Sequence, residues 1–368
     1  MDAGVDGGVL DCLVGNGGCD SNALCSGPAG SVTCACNSGW SGNGQSCVDV
    51  DECLTANGGC DANASCANTP GSRTCTCRPG FSGSGLTCTS TSDTCTNAIT
   101  LVFDGGLNAT ATGSTFGLAD DATSAVPSCG VFTSPDAVYR FTTSAAAQLT
   151  VNLTTTTPGY EPELSLRTIC NSNANEVCTR APGPGKPVNL FVSSLPAGNY
   201  ALWVDGASGS SGTYAVNLQL APVSLSPPSN ALCSAAKVLA SGPVQVGGTT
   251  IGAPSSYGND TFSMTCRNNG AITGTPGAPG PDVVFDWTAD ATRTYSIVIE
   301  PFPGFDVVGW VTQAPVCAGD GGSCIAGADN NGPGGETFTL SADAGTRYFI
   351  IVDGYNPGDQ GDFSLSIR

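Results

Sequence analysis

Residues 12–47 read CLVGNGGCDSNALCSGPAGSVTCACNSGWSGNGQSC, and residues 53–88 read CLTANGGCDANASCANTPGSRTCTCRPGFSGSGLTC. Both stretches carry six cysteines at one spacing, C-x6-C-x5-C-x8-C-x-C-x10-C. A stretch this short cannot bury enough apolar surface to offset the chain entropy lost on folding, so covalent cross-links are expected. Six cysteines can pair in fifteen ways, and their spacing alone leaves these pairings open.

The cysteines indicate an oxidising compartment. The chain has 20 cysteines, an even number at recurring spacings, and such usage is typical of extracellular proteins. The alternative use of paired cysteines is zinc ligation, which needs free thiolates or histidine, and the chain contains no histidine. Disulfide bridges therefore fit better than zinc.

Asn-Gly-Gly precedes the second cysteine of each stretch, and Gly-Trp or Gly-Phe follows the fifth. With the cysteine spacing, this motif resembles epidermal-growth-factor-like (EGF-like) modules. The resemblance implies a flexible N-terminus at 1–11, a first module at 12–48 and a calcium-binding second module at 49–88. It also implies that the first cysteine pairs with the third, the second with the fourth and the fifth with the sixth. These pairs are Cys12–Cys25, Cys19–Cys34, Cys36–Cys47, Cys53–Cys66, Cys60–Cys75 and Cys77–Cys88.

The second module begins Asp49-Val50-Asp51-Glu52-Cys53, and Asn68 and Thr69 follow its third cysteine closely. This pattern resembles the calcium-binding variety of EGF-like module. The resemblance implies one Ca²⁺, held by the side chains of Asp49, Glu52 and Asn68 and by the main-chain carbonyls of Val50, Thr69 and Ser72. Such hard oxygen ligands suit Ca²⁺ better than Mg²⁺. The alternative is an acidic linker that water merely solvates.

The junction between the modules is short, so a bound ion would stiffen it, and the resemblance places Trp40 near the site. Arg73 departs from the family pattern, which usually has Tyr or Phe there. The first module has Gly8 and Gly27 in place of Asp49 and Asn68. We therefore expect one calcium site.

Residues 95–220 and 233–368 form a second repeated pair, joined by a linker at 221–232. The segment Pro135–Thr142 matches Pro281–Thr288, and Asn199–Gly206 matches Arg347–Gly354. Apolar and polar residues alternate along both copies, which predicts strands. The shared motif resembles the pre-peptidase C-terminal family of jelly-roll-like sandwiches, whose relatives bind matrix or carbohydrate. The expected fold is all-β and disulfide-rich, with two EGF-like modules and two tandem jelly-roll-like β-sandwiches.

Four cysteines recur in each sandwich copy. We predict that the close pair staples a loop and that the wide pair ties the N-terminal segment of the domain to a later loop. The predicted bridges are Cys95–Cys129, Cys170–Cys178, Cys233–Cys266 and Cys317–Cys324.

Several sandwich residues allow two interpretations. Asp136 and Asp282 begin strands, where capping of backbone amides is favoured over calcium binding. Asp205 and Asp353 precede glycine, which is typical of a turn rather than a metal site. A set of aromatic residues lies at alternating positions, which favours the core over stacking on sugars; these are Tyr139, Phe141, Trp203, Phe285, Trp287 and Trp310.

Composition excludes several functions. Thirty Asp and Glu against 11 Lys and Arg give a net charge of −19, which argues against nucleic acid and anionic membranes as partners. No apolar run reaches the roughly 18 residues of a membrane span, so we expect no transmembrane segment. Without histidine, Ser-His and Cys-His nucleophiles are excluded, and we predict that the protein is not an enzyme.

These features predict an extracellular or cell-surface protein for adhesion or ligand binding, with a calcium-stiffened EGF-like stalk and a protein or carbohydrate ligand. The alternative is a structural subunit that assembles with copies of itself into an extracellular filament or fibre. Met1–Leu10 is acidic and Gly-rich and does not resemble a secretory signal, so we expect a processed or truncated chain.

Overall fold

The computed structural model describes residues 10–78, 81–90, 92–105, 107–124, 134–174, 176–257, 279–302, 305–317, 324–329 and 334–368. The chain forms two compact units, Met1–Ser90 and Thr91–Arg368. Within the described residues, helical structure is limited to 3-10 turns of three or four residues. The prediction of an all-β, disulfide-rich fold is confirmed.

The first unit is built from four short antiparallel hairpins. Its strands are β1 (Ala23–Ser26), β2 (Thr33–Cys36), β3 (Trp40–Gly42), β4 (Cys47–Asp49), β5 (Ala64–Thr69), β6 (Ser72–Cys77), β7 (Phe81–Gly83) and β8 (Cys88–Ser90). Consecutive strands pair, β1 with β2, β3 with β4, β5 with β6 and β7 with β8.

Disulfide bridges hold this unit together in place of an apolar core. Among its described residues, the buried apolar side chains are Ala23, Cys47, Ala64 and Cys88. Six bridges join the cysteines in the pairing that the EGF-like resemblance implies. Each closes a loop of 11 to 15 residues, and on the chain-entropy model each contributes roughly 3 kcal/mol.

The second unit contains two β-sandwiches. The strands of the first are β9 (Ile99–Thr100), β10 (Asn108–Ser114), β11 (Ala137–Thr143), β12 (Ala147–Thr155), β13 (Pro162–Arg167), β14 (Val177–Arg180), β15 (Val188–Leu195), β16 (Gly198–Gly206) and β17 (Thr213–Pro222). The strands of the second are β18 (Lys237–Val238), β19 (Val244–Thr249), β20 (Val283–Thr288), β21 (Arg293–Pro301), β22 (Val307–Gln313), β23 (Ala326–Ala328), β24 (Glu336–Ala342), β25 (Arg347–Gly354) and β26 (Asp362–Ile367).

The two sandwiches share one topology. In the first, a four-stranded sheet has the order β10-β17-β12-β15 and a five-stranded sheet has the order β14-β13-β16-β11-β9. In the second, the corresponding orders are β19-β26-β21-β24 and β23-β22-β25-β20-β18. All neighbours are antiparallel except β9 with β11 and β18 with β20. The repeat seen in the sequence is therefore a repeat of structure.

The central strands of the five-stranded sheets are buried on both faces, whereas β24, at the edge of a four-stranded sheet, is buried on one. Residues of β24 alternate between buried and exposed, but nearly every residue of β16 and β25 is buried. In β25, Ile350 and Val352 pack between the sheets, and Phe349 and Ile351 belong to a second cluster on the outer face. This explains why the sequence of these central strands is continuously apolar instead of alternating.

The predicted sandwich disulfides are wrong where the structure describes them. Cys95 is bonded to Cys170, not to Cys129, and Cys233 is bonded to Cys317, not to Cys266. The pairs Cys170–Cys178 and Cys317–Cys324 are therefore also wrong.

The reason for this pairing is the outer face of the five-stranded sheet. Cys95 and Cys170 lie there together beside Trp203, whereas Cys178 lies within β14. Cys170 therefore pairs with the cysteine that is near it in the fold and not with Cys178, which is near it in the sequence. Cys178 and Cys324 are disulfide-bonded as well, while Cys129 and Cys266 lie outside the described residues.

Polar side chains join the two sandwiches within the second unit. The side-chain nitrogen of the buried Gln245 on β19 lies 2.9 and 2.8 Å from the hydroxyls of Thr179 and Ser364 and 2.7 Å from the carbonyl oxygen of Asn189, so its two hydrogens are shared among three acceptors. The amide oxygen of Gln245 accepts from the backbone N–H of Asn189 at 2.6 Å. The two sandwiches thus meet through a satisfied polar network.

Candidate calcium site in the second module

Asp49 ends β4 and reaches into the second module. Its carboxylate oxygens accept hydrogen bonds from the side-chain amide of Asn68, at 2.8 Å, and from the backbone N–H of Gly71. Both donors belong to the β5–β6 hairpin. Asp49, which precedes the second module's first cysteine, therefore already contacts the hairpin that carries three other expected ligands, Asn68, Thr69 and Ser72.

Glu52 begins the 3-10 turn Glu52–Leu54, three residues after Asp49. Its Oε2 atom is buried and has no hydrogen-bond partner. A buried carboxylate oxygen without a partner is costly unless a cation or a donor satisfies it. This unpartnered oxygen is the structural feature that best supports the expected calcium ion.

The remaining expected ligands lie on the same two segments. Thr69 ends β5 and stands opposite Ser72, the first residue of β6, while Val50 follows β4 directly. The backbone N–H of Val50 donates to the carbonyl oxygen of Gly39 at 2.9 Å. The structure thus places all six expected residues on β4, the turn after it and one hairpin. Hard oxygens from two carboxylates, an amide and carbonyls are a donor set suited to Ca²⁺.

Trp40 of the first module packs on the same hairpin. A Cβ atom added to Gly71 would stand 2.4 Å from the indole Nε1 of Trp40. A Cβ atom added to Gly39 would stand 2.2 Å from the carbonyl oxygen of Gly71. Both glycines have positive φ, so their backbones adopt a conformation that favours glycine. The two modules approach each other here too closely for a side chain at either glycine.

Arg73 fills the position where the EGF-like family usually has an aromatic residue. A Cβ atom added to Gly58 would stand 2.5 Å from Cδ of Arg73, so the arginine stem packs on the Ala56–Gly59 turn. In the first module, Val32 is in the same place against Gly17. The apolar stem of Arg73 therefore packs against the Ala56–Gly59 turn in place of the usual aromatic ring.

The first module lacks an equivalent constellation in the described residues. Asp11 accepts a hydrogen bond from the backbone N–H of Leu13 at 3.0 Å, and Gly27 has no side chain to offer. Gly8 lies outside the described residues. A single site, in the second module, stays the prediction.

Sequence reasoning missed a second pair of structural carboxylates. Asp20 accepts from the backbone N–H groups of Asn22, at 2.8 Å, and Cys47, at 3.1 Å. Asp61 does the same in the second module, with Asn63 and Cys88. These backbone hydrogen bonds lower the pKa of both aspartates below the usual value. The available signal was the aspartate that follows the second cysteine of each module.

The aromatic and aspartate residues of the sandwiches that allowed two interpretations have structural roles. The aromatic set is buried, with at most 3% exposure, so these rings are core residues and are not available for stacking on sugars. Asp136 and Asp282 each cap two backbone amides of a neighbouring loop. Asp205 accepts from the backbone N–H of Gly206.

Across the described ranges, no cluster of three or more His, Cys, Asp or Glu side chains suited to a metal ion is found. The calcium site in the second module would accordingly depend on two carboxylates supplemented by amide and main-chain oxygens. In the same ranges, no helix is long and apolar enough to cross a membrane.

Comparison with known proteins identifies the first unit. The EGF domain family matches residues 12–47 and 53–88. Nidogen-1 from Mus musculus is 52% identical, and nidogen-1 from Homo sapiens 48% identical, over 42 residues. These residues are 11% of this chain and 3% of each nidogen, so the chain spans a small part of these relatives.

Among solved structures, the pre-peptidase C-terminal domain of a collagenase from Bacillus anthracis aligns with 36% of this chain and 94% of its own. The identity is 14% and the TM-score is 0.24. The family match and the six bridges of the first unit agree. The chain contains two EGF-like modules, at residues 12–47 and 53–88, followed by β-sandwich-like domains.

Proposed function

We propose that this is a non-catalytic extracellular protein of the matrix or adhesion type, in which a calcium-stiffened EGF-like pair is joined to a binding unit of two sandwiches. Two EGF-like modules, with a stretch of 42 residues similar to nidogen-1, point to an extracellular matrix or adhesion-type protein. The fully bridged cysteines of the first unit support the extracellular location. The domains would extend over 12–48, 49–88, 95–220 and 233–368.

The observation that carries the calcium part is the junction geometry. Asp49 bonds to the β5–β6 hairpin, Glu52 offers an unpartnered oxygen, and Trp40 packs on Gly71 beside them. In this proposal, Asp49, Glu52 and Asn68 hold the ion by their side chains, and Val50, Thr69 and Ser72 hold it by their carbonyls. A bound Ca²⁺ supplies positive charge that links these segments. Asp49 and Trp40 join the two modules by direct contacts with the β5–β6 hairpin.

The sandwich pair would carry the ligand. A groove of about 580 Å³ lies where the two sandwiches and the segment between them meet. It combines apolar residues, among them Phe191, Pro227 and Ile251, with Lys237. A volume of this size suits one or two sugar rings or a peptide side chain, and ligand sites are common where domains meet. A protein or carbohydrate ligand in this groove fits the adhesion function.

Solid-phase binding to matrix proteins and a glycan array tests this function. We expect the full chain to retain a ligand and the Lys237→Ala chain to lose most of that retention. Lys186→Ala is the matched control, because these are the two lysines of the chain. Retention unaffected by Lys237→Ala would remove the groove from the account.

Electron microscopy of the same preparation addresses the alternative function. Dispersed particles agree with a binding protein. Filaments with a constant subunit repeat, together with no retained ligand, would overturn the adhesion proposal in favour of a self-assembling structural subunit.

A further inference from the structure

The outer face of the five-stranded sheet carries different residues at matched positions of the two sandwiches. Arg140 of β11 stands opposite Ala201 of β16 in the first sandwich. Asp286 of β20 stands opposite Phe349 of β25 in the second. Ala201 and Phe349 belong to the outer-face clusters, and directly opposed residues share a face, so all four lie on the outer face. An arginine and a small residue thus replace an aspartate and an aromatic ring.

In the second sandwich, the residues at this position fill the surface and neutralise each other. The guanidinium of Arg347 donates to both carboxylate oxygens of Asp286, at 2.7 and 2.6 Å. It also lies over the ring of Phe349, 4.9 Å from the ring centroid. Such a bidentate pair is the strong form of the contact between arginine and a carboxylate. The second sandwich therefore satisfies the charge here with its own side chains.

The first sandwich has an open pocket at the same position. Asn199 takes the place of Arg347, and the small Ala201 takes the place of the Phe349 ring. The pocket has a volume of about 420 Å³, and its lining in the described part of the chain includes no Asp or Glu. The polar residues that line it are Thr100, Arg140, Thr142, Thr168 and Asn199.

Arg140 offers this pocket a positive charge. It is exposed and forms no ion pair with a carboxylate of the described residues. Its Nη2 donates to the carbonyl oxygen of Cys95. A guanidinium has five N–H donors in a rigid fork, so this contact orients the side chain and leaves donors for a ligand. A cation held in this way in a pocket without carboxylates suits an anionic group.

We propose that this pocket binds a uronic acid of an acidic glycan, with Arg140 holding the sugar carboxylate. Arginine recognises carboxylates through paired N–H groups. Thr142 donates its hydroxyl to Oδ1 of Asn199 at 2.7 Å, which leaves the amide hydrogens of Asn199 for sugar hydroxyls. The volume suits one or two sugar rings. This second site rests on the proposed binding function and adds a ligand class to it, but it does not involve the groove at Lys237.

The chemistry of the pocket favours a glycan over an acidic peptide. Apart from Arg140, its polar lining consists of threonine hydroxyls and one amide, which match the hydroxyls of a sugar. The chain has a net charge of −19, which repels densely charged polyanions. A single cation in such a chain suits a glycan whose carboxylates are separated by neutral sugars.

Isothermal titration of the full chain with a hyaluronan oligosaccharide, which alternates uronic acid with a neutral sugar, tests the site. We expect saturable binding that weakens as salt is raised. The same oligosaccharide with its carboxylates reduced to alcohols should bind about tenfold more weakly or worse, because the charge-assisted hydrogen bonds are lost. Arg140→Gln should weaken binding of the acidic form to the same extent. Arg293→Gln, at another exposed arginine, is the matched control and should bind like the unsubstituted chain.

A double variant keeps the test decisive if Arg140→Gln does not fold. Arg140→Asp with Asn199→Arg copies the Asp286–Arg347 pair of the second sandwich and should abolish binding. Undiminished binding by either folded variant, or of the reduced oligosaccharide, would overturn the proposal. So would no binding of the acidic oligosaccharide, or equally tight binding of poly-glutamate. Retention that depends on Lys237 would survive all of these results, so failure here is distinct from failure of the proposed function.

Discussion

The indole of Trp40 lies against Gly71, across the boundary between the two EGF-like modules. A single added methyl group at Gly71 would stand 2.4 Å from the ring nitrogen, which is closer than any real contact. Gly71 also donates its N–H to Asp49, an expected calcium ligand. The contact between the modules and the candidate ion site are therefore built on the same residue, and a change in one should be felt in the other.

Gly71→Ala should separate the modules. Gly71 has a φ of 73°, where a side chain costs roughly 1–2 kcal/mol, and the clash with Trp40 adds roughly 1–3 kcal/mol. Gly15→Ala is the matched control, because Gly15 has a φ of 56° and nothing within 4 Å of an added Cβ atom. Thermal unfolding should show a larger loss for Gly71→Ala. Equal losses would mean that the contact with Trp40 contributes nothing.

Gln245→Ala should weaken the joint between the sandwiches. It removes a buried amide and leaves Thr179 and the N–H of Asn189 without this partner. A buried group that loses its hydrogen bond costs roughly 1–3 kcal/mol. Urea unfolding measures this loss, and Gln313→Ala, at an exposed residue, is the control. Indistinguishable unfolding midpoints would show that the network between the sandwiches is not energetically important.

Arg167→Met should be strongly destabilising. The guanidinium of Arg167 is 2.8 Å from Glu176, and both side chains are almost fully buried. Removing one partner of a buried ion pair typically costs roughly 3–5 kcal/mol, because the other charge stays buried without compensation. Arg293→Met removes an exposed pair with Asp290 at 3.7 Å and should cost much less, because water already solvates both charges. Urea unfolding of the two variants measures both losses of stability, and that of Arg167→Met should be clearly the larger.

In EDTA, the stability of the sandwiches should fall as the pH rises. The pKa values of Asp136, Asp205, Asp282 and Asp353 rise from 3.8 to between about 6 and about 9 on folding. The folded state then binds more protons than the unfolded state, so stability is lost between about pH 4 and pH 9. Urea midpoints for the second unit at pH 5 and pH 8 should show the lower value at pH 8. A midpoint that is higher at pH 8 would contradict the burial of these groups.

The sequence predicted the EGF-like modules well because their structure is local. Each bridge closes a short loop, and the ligand pattern around Asp49 lies within about 25 residues. The disulfide pairing in the sandwiches could not be predicted from cysteine spacing. Cys95 and Cys170 are 75 residues apart and meet only because both lie on the outer face of one sheet. Spacing carries no information about that face.

The buried polar groups were also invisible to sequence reasoning. Arginine, glutamate and glutamine are residue types usually found at the surface. Only the packing of distant segments of the chain buries Arg167, Glu176 and Gln245. Asp136 caps two backbone amides, as the sequence predicted, but Asp205 lies inside β16 and not in the turn after it. Their pairing across β11 and β16 depends on strand register, which a repeat of motifs does not reveal.

Hydrogen exchange of the full chain, measured with calcium and with EDTA, tests the calcium-stiffened junction most directly. Calcium should slow exchange at the amides of residues 39–54 and 68–73, and this slowing should be absent in the Asp49→Ala chain. Strands β1 and β2 of the first module serve as an internal reference that calcium leaves unchanged. Equal exchange at the junction in calcium and EDTA, in the unsubstituted chain, would contradict the account.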